Sequence, residues 1–266
     1  MRPSTLSGRA GLCMQHGATD VEDEALRLIA AAGRAGVPLR LMGGLAVQLR
    51  AGTWPQGRRA QRDIDLAGRR AHRSAITDIM LAEGYEADRR FNALHGHKQL
   101  YFVDPRSGRP VDILLDVLDM CHRLAFADRL ELDAATLSLA DLLLSKLQIV
   151  RMTHKDVLDI LALLHEHELT PGSEGGINTE RISELTGENW GWWRTATDNV
   201  ATITRLLDAP DDIGSWAPAV RSRLTAQLDD LMAVMRDTPK SVRWRLRARI
   251  GDRLRWYEEP EEEQHG

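Results

Sequence analysis

The sequence predicts an α+β chain, with strands and helices mixed in its first half and a helical second half. Three observations carry this. Before residue 125, short apolar or alternating runs are bounded by Gly and Pro, the pattern of strands joined by turns. Beyond it, apolar residues recur at helical spacing almost without interruption. A break at Pro171-Gly172-Ser173-Glu174-Gly175-Gly176 then divides the helical half.

Residues 1–19 mix Gly, Ser and Arg and read as a loose N-terminus. Ala25, Leu26, Ile29 and Ala30 form a helical stripe within residues 21–35, ended by Gly36-Val37-Pro38. Leu39 to Met42 reads as a short strand, Gly43-Gly44 as a turn, and Leu45 to Arg50 as the start of a helix. Gly52, Pro55 and Gly57 mark 51–61 as loop. Arg62-Asp63-Ile64-Asp65-Leu66 alternates polar and apolar, the period of a half-buried strand. A helix over 71–83 stops at Gly84, and two strands follow at 98–103 and 111–117 around the turn Pro105-Arg106-Ser107-Gly108. The like-charged run Glu258-Glu259-Pro260-Glu261-Glu262-Glu263 reads as a disordered acidic tail, 258–266.

Composition narrows the function classes. At 43% apolar and 28% charged, the 266 residues are those of an ordinary globular chain. A net charge of −4 excludes a general polycation for coating nucleic acid, so any basic surface is local. Cys13 and Cys121 are too few for a disulfide framework or a thiolate zinc cluster, and suit a reducing compartment. No apolar run approaches the ~18–20 residues that span a bilayer, and the N-terminus lacks a signal-peptide h-region. The expectation is a cytoplasmic protein without membrane contact.

Three short motifs carry chemistry. A strand, a glycine pair and a helix let a backbone approach a ligand closely, with free N–H groups and a positive dipole end aimed at it; the same pattern also serves a plain tight turn. Asp63 and Asp65 stand two residues apart, so on a strand their carboxylates share a face. Such a pair is either a solvated strand face or a site for a hard cation. Asp112 opens a second strand, in which Asp112, Leu114 and Asp116 share a face, and a carboxylate on an apolar strand is costly without a cation or donor. If the strands are neighbours, the acids meet at one edge. That is an arrangement for holding a metal triphosphate while a carboxylate accepts the proton of an attacking hydroxyl.

Gly43-Gly44-Leu45-Ala46, Arg62-Asp63-Ile64-Asp65-Leu66 and Val111-Asp112-Ile113, in this order and spacing, resemble the nucleotidyltransferases of the DNA polymerase beta superfamily. Ser138 to Leu147, followed by Lys155 to Ile160, looks like its AbiEii-type branch of abortive-infection and toxin–antitoxin enzymes; the resemblance covers roughly 37–257. It implies a polymerase-beta-type fold, a small mixed sheet with helices, over 20–125, and a helical C-terminal domain over 126–257 that closes the nucleotide cleft. It implies Mg²⁺- or Mn²⁺-dependent transfer of NMP from an NTP to a hydroxyl, releasing pyrophosphate. Gly43 and Gly44 would hold phosphates. Asp63, Asp65 and Asp112 would bind metal, with Asp112 the candidate base. Lys146, Asp156 and Asp159 would serve the nucleotide. The acceptor would be RNA or tRNA in a toxin-like role, with a partner antitoxin protein, or a small molecule as in the antibiotic adenylyltransferases; a nucleotide-binding protein without turnover is the alternative from another class. Gln61 stands where toxins of this branch often carry Ser.

Other residues leave choices open. Ser138 and Asp141 form a plausible capping box opening a helix. Lys146 falls on its apolar stripe of Leu139, Leu142, Leu143, Leu147 and Val150, either snorkelling to solvent or reaching the cleft, with Asp156 and Asp159 placed to orient it or Arg151. Arg58, Arg59, Arg62, Arg69, Arg70 and Arg73 crowd the Asp pair, as a solvated face or as charge for a triphosphate or an RNA. His165-Glu166-His167-Glu168 lacks zinc spacing and reads as a solvated helix end. His95 to Lys98 reads as a surface loop, and Trp190, Trp192 and Trp193 as helix packing. Between Lys240 and Arg255, Val242, Trp244, Leu246 and Ile250 are expected to anchor a segment whose arginines face outward toward an RNA backbone, or pair within the protein.

Overall fold

The computed structural model describes residues 18–56, 59–172, 175–209 and 216–259. Most of the expected loose N-terminus, Arg58 and the acidic tail from Pro260 lie outside them. The first half runs α1 (Ala18–Arg34), β1 (Arg40–Leu41), α2 (Gly43–Arg50), β2 (Ile64–Gly68), α3 (Arg73–Ala82), β3 (Glu86–Ala87), α4 (Arg89–His95), β4 (Gln99–Val103), β5 (Pro110–Leu115), β6 (Val117–Asp119) and β7 (Arg123–Ala125). The second runs α5 (Leu139–Leu147), α6 (His154–Glu166), β8 (Leu169–Thr170), β9 (Ile177–Asn178), α7 (Thr179–Glu188), α8 (Trp190–Asp208), α9 (Pro218–Asp237) and α10 (Val242–Ile250).

Five strands make a mixed sheet in the order β1-β2-β5-β4-β3, in which only β2 and β5 are parallel. Alternation assigns its faces. Ile64, Leu66, Leu100, Phe102, Val111 and Ile113 are buried to 1% exposure or less on one side. Asp65, Gln99, Tyr101, Asp112 and Leu114 lie half-buried on the other. Ile76 of α3 and Leu39 crowd Gly68 on the buried side, where a Cβ would meet them at 2.9 and 3.0 Å. The core continues without interruption from Val21 to Met235, and α2 packs against both α5 and α6.

The structure departs from the sequence reading in several places. β2 starts at Ile64, so Asp63 precedes the strand. Ile64 pairs with Val111, which sets Pro110 opposite Asp63, and proline has no N–H for the ladder. The strand expected over 111–117 breaks at Asp116, whose φ of 67° turns it off the shared face. Its carboxylate instead accepts the Arg70 N–H at 2.9 Å. The short elements β3 and α4 occupy residues with no clear periodic signal; α4 is started by Asp88, whose side chain caps the Phe91 amide. The supposed solvated helix end is a tether: Glu166 accepts from Thr53 and His165, and the His167 ring bonds the Arg50 carbonyl at 3.0 Å.

Helix starts in the second half follow side-chain caps, except α9, which opens on Pro218 after an uncapped Ala217. Ser138 Oγ accepts the Asp141 N–H, as expected. The Asp141 carboxylate, fully buried, is then taken by Arg129 at 2.7 Å, Arg181 at 3.2 Å and the Ser138 hydroxyl at 2.6 Å. Thr153 and Asp156 complete a capping box at α6. Trp190 and Trp192 are buried as packing residues. On α10 the expected anchors are reversed: Val242, Leu246 and Ile250 are exposed, while Trp244 packs edge-on against Trp193 with ring centroids 5.3 Å apart.

Candidate active site

The site forms where β1 ends, α2 begins, and β2 lies beside β5. The Met42 N–H donates to the Asp65 carbonyl at 2.9 Å, tying the glycine turn to the acid-bearing strand. Gly43 has φ +68°, and a Cβ there would stand 2.2 Å from Asp65 Oδ2. At Gly44 a Cβ would meet the Arg59 guanidinium at 2.6 Å and the Gln61 amide nitrogen at 2.9 Å. Gly43 therefore needs glycine, for its left-handed backbone and for the carboxylate against it, whereas Gly44 is covered by the movable ends of the Arg59 and Gln61 side chains.

Parallel register sets Asp65 directly beside Asp112, with Tyr101 opposite Asp112 on the other side. Burial first, then the charges of Asp112 and Asp63, push the Asp65 carboxyl up to about 7, against the pull of the Lys146 ammonium. Gln99 Nε2 donates to Asp112 Oδ1 at 2.6 Å. The Tyr101 hydroxyl is pushed up by burial and then by Asp112 and Asp63. Asp63 is exposed on the segment leading into β2.

The floor opposite comes from α5 and α6. Lys146 does not snorkel: its side chain is 14% exposed, and Nζ lies 3.0 Å from both Asp156 Oδ1 and Asp159 Oδ2. Burial opposes its charge, but Asp159 and Asp156 outweigh that and hold the ammonium above its ordinary value. Burial likewise opposes ionisation of Asp156, outweighed by Lys146 and by the Thr153 hydroxyl and amide, so its carboxyl lies below the usual range. Asp156 thus does both things its position allows, capping α6 and orienting Lys146. Asp159 is shared, because the Arg59 guanidinium grips both of its oxygens, Nη2 at 2.9 Å.

Gly43, Gly44, Asp65, Asp112, Lys146, Asp156 and Asp159 are thus linked by contact, register or charge, with Asp63 beside them. The spacing did not point to Gln99 or Tyr101, although both alternate on the polar face of β4. Among the described residues, no group of three His, Cys, Asp or Glu side chains stands in metal-ligand geometry. The donors at hand are carboxylate oxygens, the chemistry that Mg²⁺ and Mn²⁺ prefer, and the repulsion raising Asp65 is what a divalent cation relieves. Among the described residues no helix is long and apolar enough to cross a membrane.

No family model matches the chain, and no curated protein matches it in sequence. Three solved structures are similar to it. A lincosamide antibiotic adenylyltransferase with lincomycin bound is 16% identical over 43% of this chain and 72% of its own, with a TM-score of 0.32. The antibiotic-resistance factor ANT(2'')-Ia is 12% identical over 83% of this chain and 93% of its own, with a TM-score of 0.31. An antigenic nucleotidyltransferase-like protein from Paracoccidioides brasiliensis is 14% identical over 85% and 96%, with a TM-score of 0.42.

Proposed function

We propose that this chain is a nucleotidyltransferase that moves NMP from an NTP to a hydroxyl acceptor. The observation that carries the reading is the pairing of Asp65 with Asp112 on adjacent parallel strands, under a glycine turn that touches Asp65. Asp65 and Asp112, joined by a rotated Asp63 side chain, would hold Mg²⁺ or Mn²⁺, which supplies charge to the triphosphate when bound. The backbone at Gly43 and Gly44 holds phosphate, and Lys146 adds positive charge from α5. The acceptor oxygen attacks the α-phosphorus, the bond from that phosphorus to the β-bridging oxygen breaks, and pyrophosphate leaves. Asp112, steadied by Gln99, accepts the hydroxyl proton.

Within this reading the chain is of the AbiEii type, since the two blocks that resemble that branch supply Lys146, Asp156 and Asp159. Its acceptor is RNA, on the strength of α10 and the residues after it. Arg243, Arg249 and Arg253 are exposed there without a partner among the described residues. Arg247 instead turns inward, over the Trp190 ring and onto the carbonyls of Gly251 and Leu254. The test incubates purified protein and Mg²⁺ with each labelled NTP and cell extract, then fractionates RNA, protein and small molecules. Label in RNA supports the whole reading. Label in small molecules keeps the chemistry and overturns the acceptor, and no pyrophosphate release with any NTP overturns the enzyme.

A further inference from the structure

Of the arginines clustered around the acid pair, the described ones differ sharply in placement. Arg69 is spent on Glu131 and the Ala127 carbonyl, Arg70 on Asp116, and Arg73 on the Asn92 carbonyl. Arg62 is exposed. Only Arg59 reaches the glycine turn: its guanidinium lies where a Gly44 Cβ would be met at 2.6 Å, while its fork holds Asp159. Its backbone is pinned too, since Gln48 Nε2 of α2 donates to the Arg59 carbonyl at 2.9 Å. Beside it, Gln61 Nε2 is buried against the same glycine with no hydrogen-bond partner among the described residues.

A buried donor left unsatisfied is costly, and a guanidinium over a glycine backbone is the natural counterpart of a phosphate. We infer that Arg59 and Gln61 form a polyphosphate subsite over Gly44, in which Arg59 exchanges the Asp159 carboxylate for phosphate oxygens when the ligand arrives. Lys146 stays held by Asp156 through that exchange, because its two carboxylate contacts are separate. Asp159 is then a competitor for the same guanidinium, set to release it only to a ligand of comparable charge. Gln61 offers its N–H to the same phosphate. The subsite rests on the proposed reaction for the ligand's identity, an NTP, but its binding chemistry is independent of turnover.

The test is calorimetric titration of the full chain with inorganic tripolyphosphate in Mg²⁺ buffer, beside steady-state pyrophosphate release. Arg59→Met should weaken tripolyphosphate at least tenfold and raise KM for the NTP more than it lowers kcat, whereas Arg62→Met should change either by less than twofold. Asp159→Asn, which frees the fork, should tighten tripolyphosphate. Gln61→Leu should weaken it severalfold and, having removed an orphaned donor, should not lower Tm, which keeps the test open should either charge variant fail to fold. Unchanged affinity in both Arg59→Met and Gln61→Leu, or an equal loss in Arg62→Met, overturns the subsite, as does a parent protein that does not bind tripolyphosphate. A parent that binds through Arg59 yet releases no pyrophosphate keeps the subsite and overturns the proposed enzyme. Pyrophosphate release with an unchanged KM in Arg59→Met does the reverse.

Discussion

Replacing Asp65 by Asn should make the protein more stable while abolishing transfer. In the folded chain the carboxyl is raised from 3.8 to about 7, by burial and then by Asp112 and Asp63. Between those two values the folded state keeps a proton that the unfolded state has lost, so stability falls as pH rises through the window and the penalty is complete above about 7. At about 1.4 kcal/mol per unit, a rise of about three units costs about 4 kcal/mol in metal-free buffer. Asn keeps the shape and carries no charge, so urea denaturation at pH 8 with EDTA should show Asp65→Asn more stable by an amount approaching that figure. The gain should shrink toward zero as the pH is lowered to 4. Mg²⁺ should stabilise the parent at pH 8 and leave the variant unmoved. A variant no more stable than the parent at pH 8, or a gain that persists undiminished at pH 4, would refute the assignment of a strained carboxylate at this position.

Gly43→Ala should cost about 2 kcal/mol or more by urea denaturation and lose transfer, since it forces a Cβ into a left-handed backbone and into the Asp65 carboxylate. Lys146→Met should destabilise by about 2–4 kcal/mol in the same assay, because it leaves Asp156 and Asp159 facing each other in a buried site; the volume match to the apolar stripe does not rescue it. His122, buried with its ring 2.8 Å from the Thr195 hydroxyl, has its pKa lowered by burial to about 4. The unfolded chain therefore takes up a proton first on acidification, and about 3 kcal/mol of stability should drain away as pH falls from 6.5 to 4. His122→Gln should flatten that part of the pH profile.

Periodicity made the sheet's two central strands legible, because Ile64, Leu66, Val111 and Ile113 mark one buried face and leave the acids on the other. The adjacency of Asp65 and Asp112 was legible only as a condition, that the two strands be neighbours; the register that meets it comes from the whole sheet. Lys146 could be singled out as a cation on an apolar stripe, but not its fate. That depends on Asp156 and Asp159 one helix later, which by spacing alone could equally have served Arg151. Arg59 was hidden among similar arginines, and only the chain path after α2 separates it from Arg62. The exposure of Val242, Leu246 and Ile250 ran against the pattern altogether, because Trp244 wins the contact with α8 and rotates the helix.

β1 is two residues long and sits at the margin of the sheet, yet its outer side is not bare. The Leu41 N–H donates to the Ala135 carbonyl at 2.8 Å, and the Leu137 N–H donates back to the Leu41 carbonyl at 2.9 Å. A strand margin left open is a template for pairing with other chains, and here the segment leading into α5 closes it. A fragment cut near residue 125 would lose that closure together with the helices that cover α2. Such a piece should be recovered from cells as insoluble material even though it carries all three acids. Proteolytic nicking between β7 and α5 should likewise leave two products that migrate together until denatured.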